Sequence, residues 1–166
     1  MTYNESKKMY LKYINEHINN VKKSYELYGK QLCYALDIPI YKLEIAVRTH
    51  DASKLQEEEF EAYRQYFYTA DGEEKNKDLF NLAWNHHQKV NKHHPEYWVM
   101  IDNDIEGNIK ILDMDNLYIA EMLLDWSAMK MKFGGSNKQY WFDNRDKKLL
   151  SENTKRKIDK IIEIFD

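Results

Sequence analysis

Apolar residues recur every three or four positions along most of this chain, which is the pattern of amphipathic helices. Strand-like alternation is scarce, and only five glycines and two prolines interrupt the pattern. We therefore predict an all-α protein. The predicted helices cover residues 5–28, 39–53, 57–68, 77–90, about 113–133 and a last segment from 151 or 153, whereas 96–108 and 136–147 are expected to be mainly irregular. The glycines at 29 and at 134–135 are expected to end helices.

Three predicted apolar helix faces carry polar residues that the core would have to satisfy. His17 lies on the apolar face of the first helix, and Asp125 lies on that of the helix that ends near 133. His50 follows an apolar helical stretch and is itself followed by Asp51. Burying such groups without partners costs roughly 2–7 kcal/mol each. If the three faces converge, two imidazoles and two carboxylates form a suitable ligand set for a divalent cation.

Length and composition narrow the class of protein. A chain of 166 residues, 43% hydrophobic and 32% charged, is expected to form one globular domain over residues 1–166. The net charge of −3 gives no general signal for long nucleic acids or an anionic membrane surface. No run of about 18 apolar residues predicts a membrane span. Residues 1–13 are too polar for a signal peptide, so we expect a cytoplasmic protein.

The order of these polar residues resembles that of a known family. His17, then His50-Asp51 followed by Lys54, then Asp125 far downstream is similar to the HD superfamily of metal-dependent phosphohydrolases. The chain also resembles a group of small bacterial and phage HD-like proteins. The resemblance implies an HD-like helical bundle in which His17, His50, Asp51 and Asp125 bind one divalent ion, namely Mn, Fe, Co, Ni or Mg. That ion would polarise a phosphoryl oxygen and lower the pKa of a bound water.

A second unusual stretch contains four of the six histidines within nine residues, from His86 to His94. HD enzymes with two metals place further histidines between the His-Asp pair and the last Asp, which implies a possible second ion bridged by Asp51. The candidate ligands for it are His86, His87 and His94. Alternatively, His86 or His87 orients the substrate or acts as a general acid, or the stretch is only a hydrogen-bonding loop.

The expected geometry of this stretch follows from the helix pattern. Trp84 and Val90 should anchor the fourth helix in the core, and this would hold His86 or His87 near Asp51. His93 and His94 should then lie nearer the rim of the site. Lys54 should lie across the opening, where its ammonium group can meet a phosphate or pair with a carboxylate.

Four glutamates near these positions are further candidates. Glu57, Glu58 and Glu59 are candidate general bases, but three glutamates at a helix start are commonly a solvated end that favours the helix dipole. Glu121 precedes Asp125 by one helical turn and could hold a metal ligand in position.

The resulting functional expectation is a metal-dependent phosphohydrolase. Its substrate would be a nucleotide or another small phosphate ester, attacked by metal-activated water with Lys54 and His86 or His87 assisting. The alternatives are an HD-like di-iron oxygenase, which dense histidines permit, and a non-catalytic regulatory module that binds a metal or a nucleotide. No membrane or long nucleic acid partner is expected, and the sequence does not indicate an oligomeric state.

Overall fold

A computed structural model describes residues 1–165 and shows an all-α protein with one small hairpin. Its helices are α1 (Tyr3–Leu36), α2 (Ile40–Thr49), α3 (Glu57–Phe67), α4 (Lys77–Val90), α5 (Asn116–Phe133), α6 (Asn137–Asn144) and α7 (Glu152–Ile161). Strands β1 (Val99–Ile101) and β2 (Ile109–Ile111) pair antiparallel, with Val99 opposite Ile111. Short 3-10 turns cover Ala52–Leu55, Pro95–Trp98, Arg145–Lys147 and Ile162–Phe165. Within residues 1–165, no helix is both long and apolar enough to cross a membrane.

The helices enclose two separate apolar clusters, and α1 runs through both. The large core contains residues of α1, α2, α5, α6 and α7, including Val21, Leu123 and Trp141. The small core lies between α1, α3 and α4 and includes Ile14. His17 is buried on α1 between Ile14 of the small core and Val21 of the large one. The junction of the two cores therefore contains a polar group rather than an apolar one.

The first helix is longer than the sequence indicated. Gly29 was expected to end it, but α1 continues to Leu36 and is capped by Asp37 in the left-handed conformation (φ 53°). Gly29 is buried inside the helix, where a Cβ atom would lie 2.4 Å from Cδ2 of Tyr25. This glycine makes room for a neighbouring ring and does not terminate the helix.

The two segments expected to be mainly irregular both contain regular structure. In residues 136–147, Ser136 caps α6 by accepting a hydrogen bond from the Gln139 amide, and Trp141 of that helix is fully buried. A short helix with one buried aromatic side chain has too few residues to show a clear period. In residues 96–108, the chain forms a 3-10 turn, strand β1 and the connection that leads to β2. The burial of Trp141 thus stabilises α6, whose local pattern is weak, whereas the two strands of the hairpin are mostly exposed.

Candidate metal centre

The break after α2 directs two consecutive side chains into the protein. The helix ends at Thr49, so the predicted helix to residue 53 was too long. His50 adopts an extended conformation (φ −52°, ψ 129°), and Asp51 is left-handed (φ 56°, ψ 21°). Neighbouring residues inside a helix would point about 100° apart. The break allows both buried side chains to face the same centre, and left-handed backbone outside glycine is a strain that clusters at functional sites.

The four residues expected to converge do so in the structure. We call His17, His50, Asp51 and Asp125 the first cluster. Nε2 of His17 lies 3.3 Å from Nε2 of His50, 3.3 Å from Oδ2 of Asp51 and 3.2 Å from Oδ1 of Asp125. Nε2 of His50 lies 3.6 Å and 3.8 Å from the same two carboxylate oxygens. Two imidazole nitrogens and two carboxylate oxygens from α1, the α2 end and α5 therefore share one small space.

A second group of ligand-type atoms lies on the other oxygen of Asp51. Oδ1 of Asp51 is 3.3 Å from Nε2 of His87 and 3.5 Å from Nε2 of His93. With His94, these residues form the second cluster, in which one ligand atom from each of the four lies within 4.8 Å of every other. Asp51 thus offers one oxygen to each cluster.

Buried carboxylates hold the histidines by their other ring nitrogens. Oε1 of Glu121 contacts Nδ1 of His50 at 2.9 Å and Nδ1 of His93 at 3.3 Å. Oε2 of Glu59 contacts Nδ1 of His87 at 2.8 Å. A carboxylate at Nδ1 fixes the ring and leaves Nε2 directed to the centre, as in carboxylate–histidine–metal arrangements.

Of the three glutamates named as candidate general bases, Glu59 is the one that the structure places at the centre. Glu57 and Glu58 are exposed, as the solvated-end interpretation expects, but Glu59 is fully buried. The available signal was its position, because Glu59 lies one turn before Ala62 and Tyr63, on the apolar face of α3. Glu121 occupies the orienting position that its spacing from Asp125 suggested.

The histidine-rich stretch is arranged differently from the expectation. His86, a predicted ligand or catalytic group, lies outside both clusters, and its Nδ1 contacts Oε1 of Glu59 at 2.8 Å. His93 was expected near the rim but is buried at the centre. Trp84 and Val90 do not anchor α4 in the core, since they are 37% and 48% exposed.

The physical reason for these corrections is the face that α4 buries. Ala83 and His87, one turn apart, form that face, so His86 and Val90 point away from the centre. The chain leaves the helix at Asn91, whose side-chain amide donates to the hydroxyl oxygen of Ser53 at 2.7 Å. This turn brings His93 back against Asp51.

Lys54 reaches the same centre from the 3-10 turn that follows Asp51. Its ammonium nitrogen lies 2.5 Å from Oδ2 of Asp51, and its side chain is 12% exposed. Although burial lowers the pKa of Lys54, the adjacent Asp51 carboxylate raises it above its usual value, so the group is cationic. Lys54 also lines the pocket that opens on the first cluster.

The titration of the centre reflects its dense pairing. Burial alone would lower the pKa of His17, but hydrogen bonds to Asp125 and Asp51 raise it to about 9. Burial opposes ionisation of Asp51, yet Lys54 and His50 hold its pKa well below the usual value. Burial and the neighbouring His93 and His87 lower the pKa of His94 to about 2. The low pKa keeps the imidazole of His94 neutral, and a neutral imidazole has the free lone pair that metal coordination requires.

Two buried polar atoms in the centre have no hydrogen-bond partner within residues 1–165. They are Oδ1 of Asp51 and Nε2 of His93, which face each other in the second cluster. Buried polar atoms are nearly always paired, so an orphaned pair of ligand-type atoms indicates a missing partner. Together with the imidazole and carboxylate donors around it, this fits a divalent cation. The buried His and Asp groups could therefore hold a metal ion.

A pocket of about 440 Å³ opens on this centre. Its base includes His17, Asp51 and Asp125 of the first cluster and His87 and His94 of the second. A cavity of this size is typical of small-molecule sites. A ligand in it would therefore touch both clusters at once.

The fold and the centre define a helical protein with a buried histidine–aspartate site at the base of a pocket. The chain belongs to DUF5662, a family of unknown function, whose family model matches residues 6–164. The comparisons with curated proteins and with solved structures gave no match. The matched range includes every residue of both clusters.

Proposed function

We propose that this protein is an HD-type phosphohydrolase that uses one or two divalent ions to cleave a small phosphate ester, such as a nucleotide. The observation that carries the proposal is the first cluster, in which His17, His50, Asp51 and Asp125 converge from three separated segments. The order and the local context of these residues resemble the HD superfamily, and the convergence supports that assignment.

The donor atoms suggest two ion positions. The first cluster would hold one ion, and His87, His93 and His94 would hold another, with Asp51 shared between them. A divalent ion bound there supplies a Lewis acid for a phosphoryl oxygen and lowers the pKa of a bound water. The ion identity stays open among Mn, Fe, Co, Ni and Mg, because imidazole and carboxylate ligands suit several of them.

The protein's own side chains would position the substrate. Lys54 lies at the pocket base, where its ammonium group can donate to a phosphoryl oxygen while it remains close to Asp51. Glu59 and Glu121 keep the histidine rings fixed, so that the donor geometry is set before the substrate arrives. His86 has no direct role in this arrangement, since its contact is with Glu59.

The test combines metal content with turnover. The protein is purified without chelator, its metal is measured by elemental analysis, and phosphate release is screened over nucleotides and sugar phosphates with Mn, Co, Ni and Mg. We expect stoichiometric metal and release from at least one ester, both lost in His17→Ala. Metal-free protein after incubation with these ions, or bound metal with no ester turned over, would contradict the proposal.

A second candidate is an HD-like di-iron oxygenase. It is favoured by the three histidines of the second cluster and by one carboxylate placed between two potential ion positions. Bound iron with oxygen consumption and no phosphate release would select this alternative. A well-formed metal site with neither reaction would indicate a binding module.

A further inference from the structure

The pocket above the centre has walls that are aromatic and almost free of positive charge. We infer that it selects a phosphate monoester whose body is flat, uncharged and aromatic, of nucleoside size or smaller. This inference rests on the proposed function, because the phosphate group is assigned to the metal centre. The inference specifies the class of phosphate ester that the site binds.

The charges around the pocket limit the number of phosphate groups. Within residues 1–165, Lys54 is the single Lys or Arg side chain that lines it, and Asp51 already neutralises that group. Lys132, near the rim, is paired with Glu16 at 3.3 Å. A diphosphate, a triphosphate or a carboxylated body would bring negative charge without a partner, which is costly in a desolvated site. Beyond the ions themselves, the described pocket lining thus offers no further cation for a second phosphate or for a carboxylate.

The walls above the base match a flat ring. Tyr13 of α1, Phe80 and Trp84 of α4, and Phe133 of α5 all line the pocket. Aromatic side chains bind rings by offset stacking and edge-to-face contact, in addition to simple burial of apolar area. A polyol such as a sugar or glycerol would lose water in this pocket and find few hydrogen-bond partners. The walls therefore favour an aryl body over a polyol.

One hydroxyl of the pocket lining is buried without a hydrogen-bond partner among residues 1–165. Tyr63 lines the pocket and is 6% exposed, yet its hydroxyl has no hydrogen-bond partner within the described chain. Burial raises the pKa of Tyr63, so the hydroxyl keeps its proton. An unsatisfied buried donor gains most from a ligand with a matching acceptor. A ring nitrogen or an ester oxygen of the bound molecule would supply that acceptor.

The first test measures binding without turnover. Isothermal titration of the Mn²⁺-loaded protein compares benzylphosphonate, methylphosphonate and 4-carboxybenzylphosphonate, which share the phosphonate group and differ in the body. We expect benzylphosphonate to bind at least about tenfold more tightly than either of the others, because it buries a ring without adding a charge. Equal affinities, or no binding of benzylphosphonate, would overturn the inference.

A matched pair of variants assigns the preference to the pocket wall. Trp84→Ala should reduce the preference for benzylphosphonate over methylphosphonate by roughly threefold to tenfold. Leu82→Ala, on the same helix but 69% exposed and outside the pocket lining, should leave the preference unchanged. Because the readout is a ratio, damage to the metal site lowers both affinities and does not imitate the expected result. An unchanged ratio in Trp84→Ala would overturn the assigned aromatic wall.

Turnover separates this inference from the proposed function. Benzyl phosphate and glycerol 1-phosphate are both esters of primary alcohols, so their rates can be compared without the advantage of a phenol leaving group. Preferential hydrolysis of benzyl phosphate supports both ideas. Selective phosphonate binding with no hydrolysis supports the preference for an aryl body and contradicts the phosphohydrolase. Hydrolysis of both esters at similar kcat/KM supports the phosphohydrolase and contradicts the preference for an aryl body.

Discussion

The two clusters that share Asp51 are built from different kinds of structure. In the first, His17 and Asp125 lie inside the long helices α1 and α5, which pack against each other. In the second, His93 and His94 follow the end of α4 and precede a 3-10 turn. Side chains on packed helices have fixed positions, whereas a connecting segment is held by fewer backbone hydrogen bonds. Two of the four residues of the first cluster lie in helices, against only His87 in the second, so we expect the first cluster to be the more rigid of the two.

A buried carboxylate also holds the less regular segment of the second cluster in place. Glu121 of α5 contacts a histidine of each cluster, namely His50 and His93. The less regular segment is thus attached to the same helix that supplies Asp125. The position of His93 therefore depends on its contacts with Asp51 and with Glu121 of α5, because no helix holds it.

The largest effect is expected for Asp51→Asn, because Asp51 offers an oxygen to both clusters. Asn tolerates the left-handed backbone at this position, so the change removes charge with little added strain. We expect both ions and the turnover to be lost. For the unchanged protein, each ion present at about 100 times its Kd should raise Tm by roughly 5–10 °C, and this rise should disappear in the variant.

The chain provides a matched control for that change. Asp37 is the other non-glycine residue with a positive φ within residues 1–165, and it is exposed at the end of α1. Asp37→Asn should keep both ions and the full rise in Tm. Metal analysis and thermal unfolding with and without Mn²⁺ check both variants. Full metal content in Asp51→Asn would show that this residue is only part of a helix end.

The first cluster could be predicted from the sequence because its residues obey a local rule. His17 and Asp125 each occupy a position that the helical spacing assigns to the core. The amphipathic pattern is clear in α1, whereas α5 is apolar on most sides and shows it only weakly. What the pattern could not supply was the break at His50. The left-handed Asp51 accompanies contacts with His17, His87 and His93, which lie far away along the chain and which no local pattern encodes.

The second cluster shows where sequence reasoning fails. The density of histidines correctly pointed to this stretch, but the choice among them depended on the helix face and on the turn after Val90. Trp84 was expected to anchor the fourth helix in the core, whereas here it lines a pocket. The buried face is Ala83 and His87, and a small residue with a polar one gives a weak apolar signal.

The next largest effect compares two histidines of that stretch. His93→Ala should remove the second ion and most of the turnover, since His93 lies 3.5 Å from Oδ1 of Asp51. It should also weaken the first ion, because one ligand atom of His93 lies within 4.8 Å of those of His50 and Asp125. His86→Ala should keep both ions, because its ring contacts Glu59 rather than Asp51. Metal stoichiometry by elemental analysis distinguishes the two variants. Equal losses would mean that the second cluster is not a separate site.

The smallest effect, and the finest comparison, concerns the two buried glutamates. Glu121→Gln and Glu59→Gln are the same nearly isosteric change, and each removes a carboxylate from the Nδ1 side of a histidine. Loss of such an orienting partner weakens metal binding by roughly 10–100-fold. Because Glu121 contacts His50 and His93, its variant should weaken both ions, whereas Glu59→Gln should weaken only the ion at His87. Two-step Mn²⁺ titration by calorimetry measures the affinities separately. If Glu59→Gln weakened both ions equally, the two clusters would behave as one site, and the comparison between them would fail.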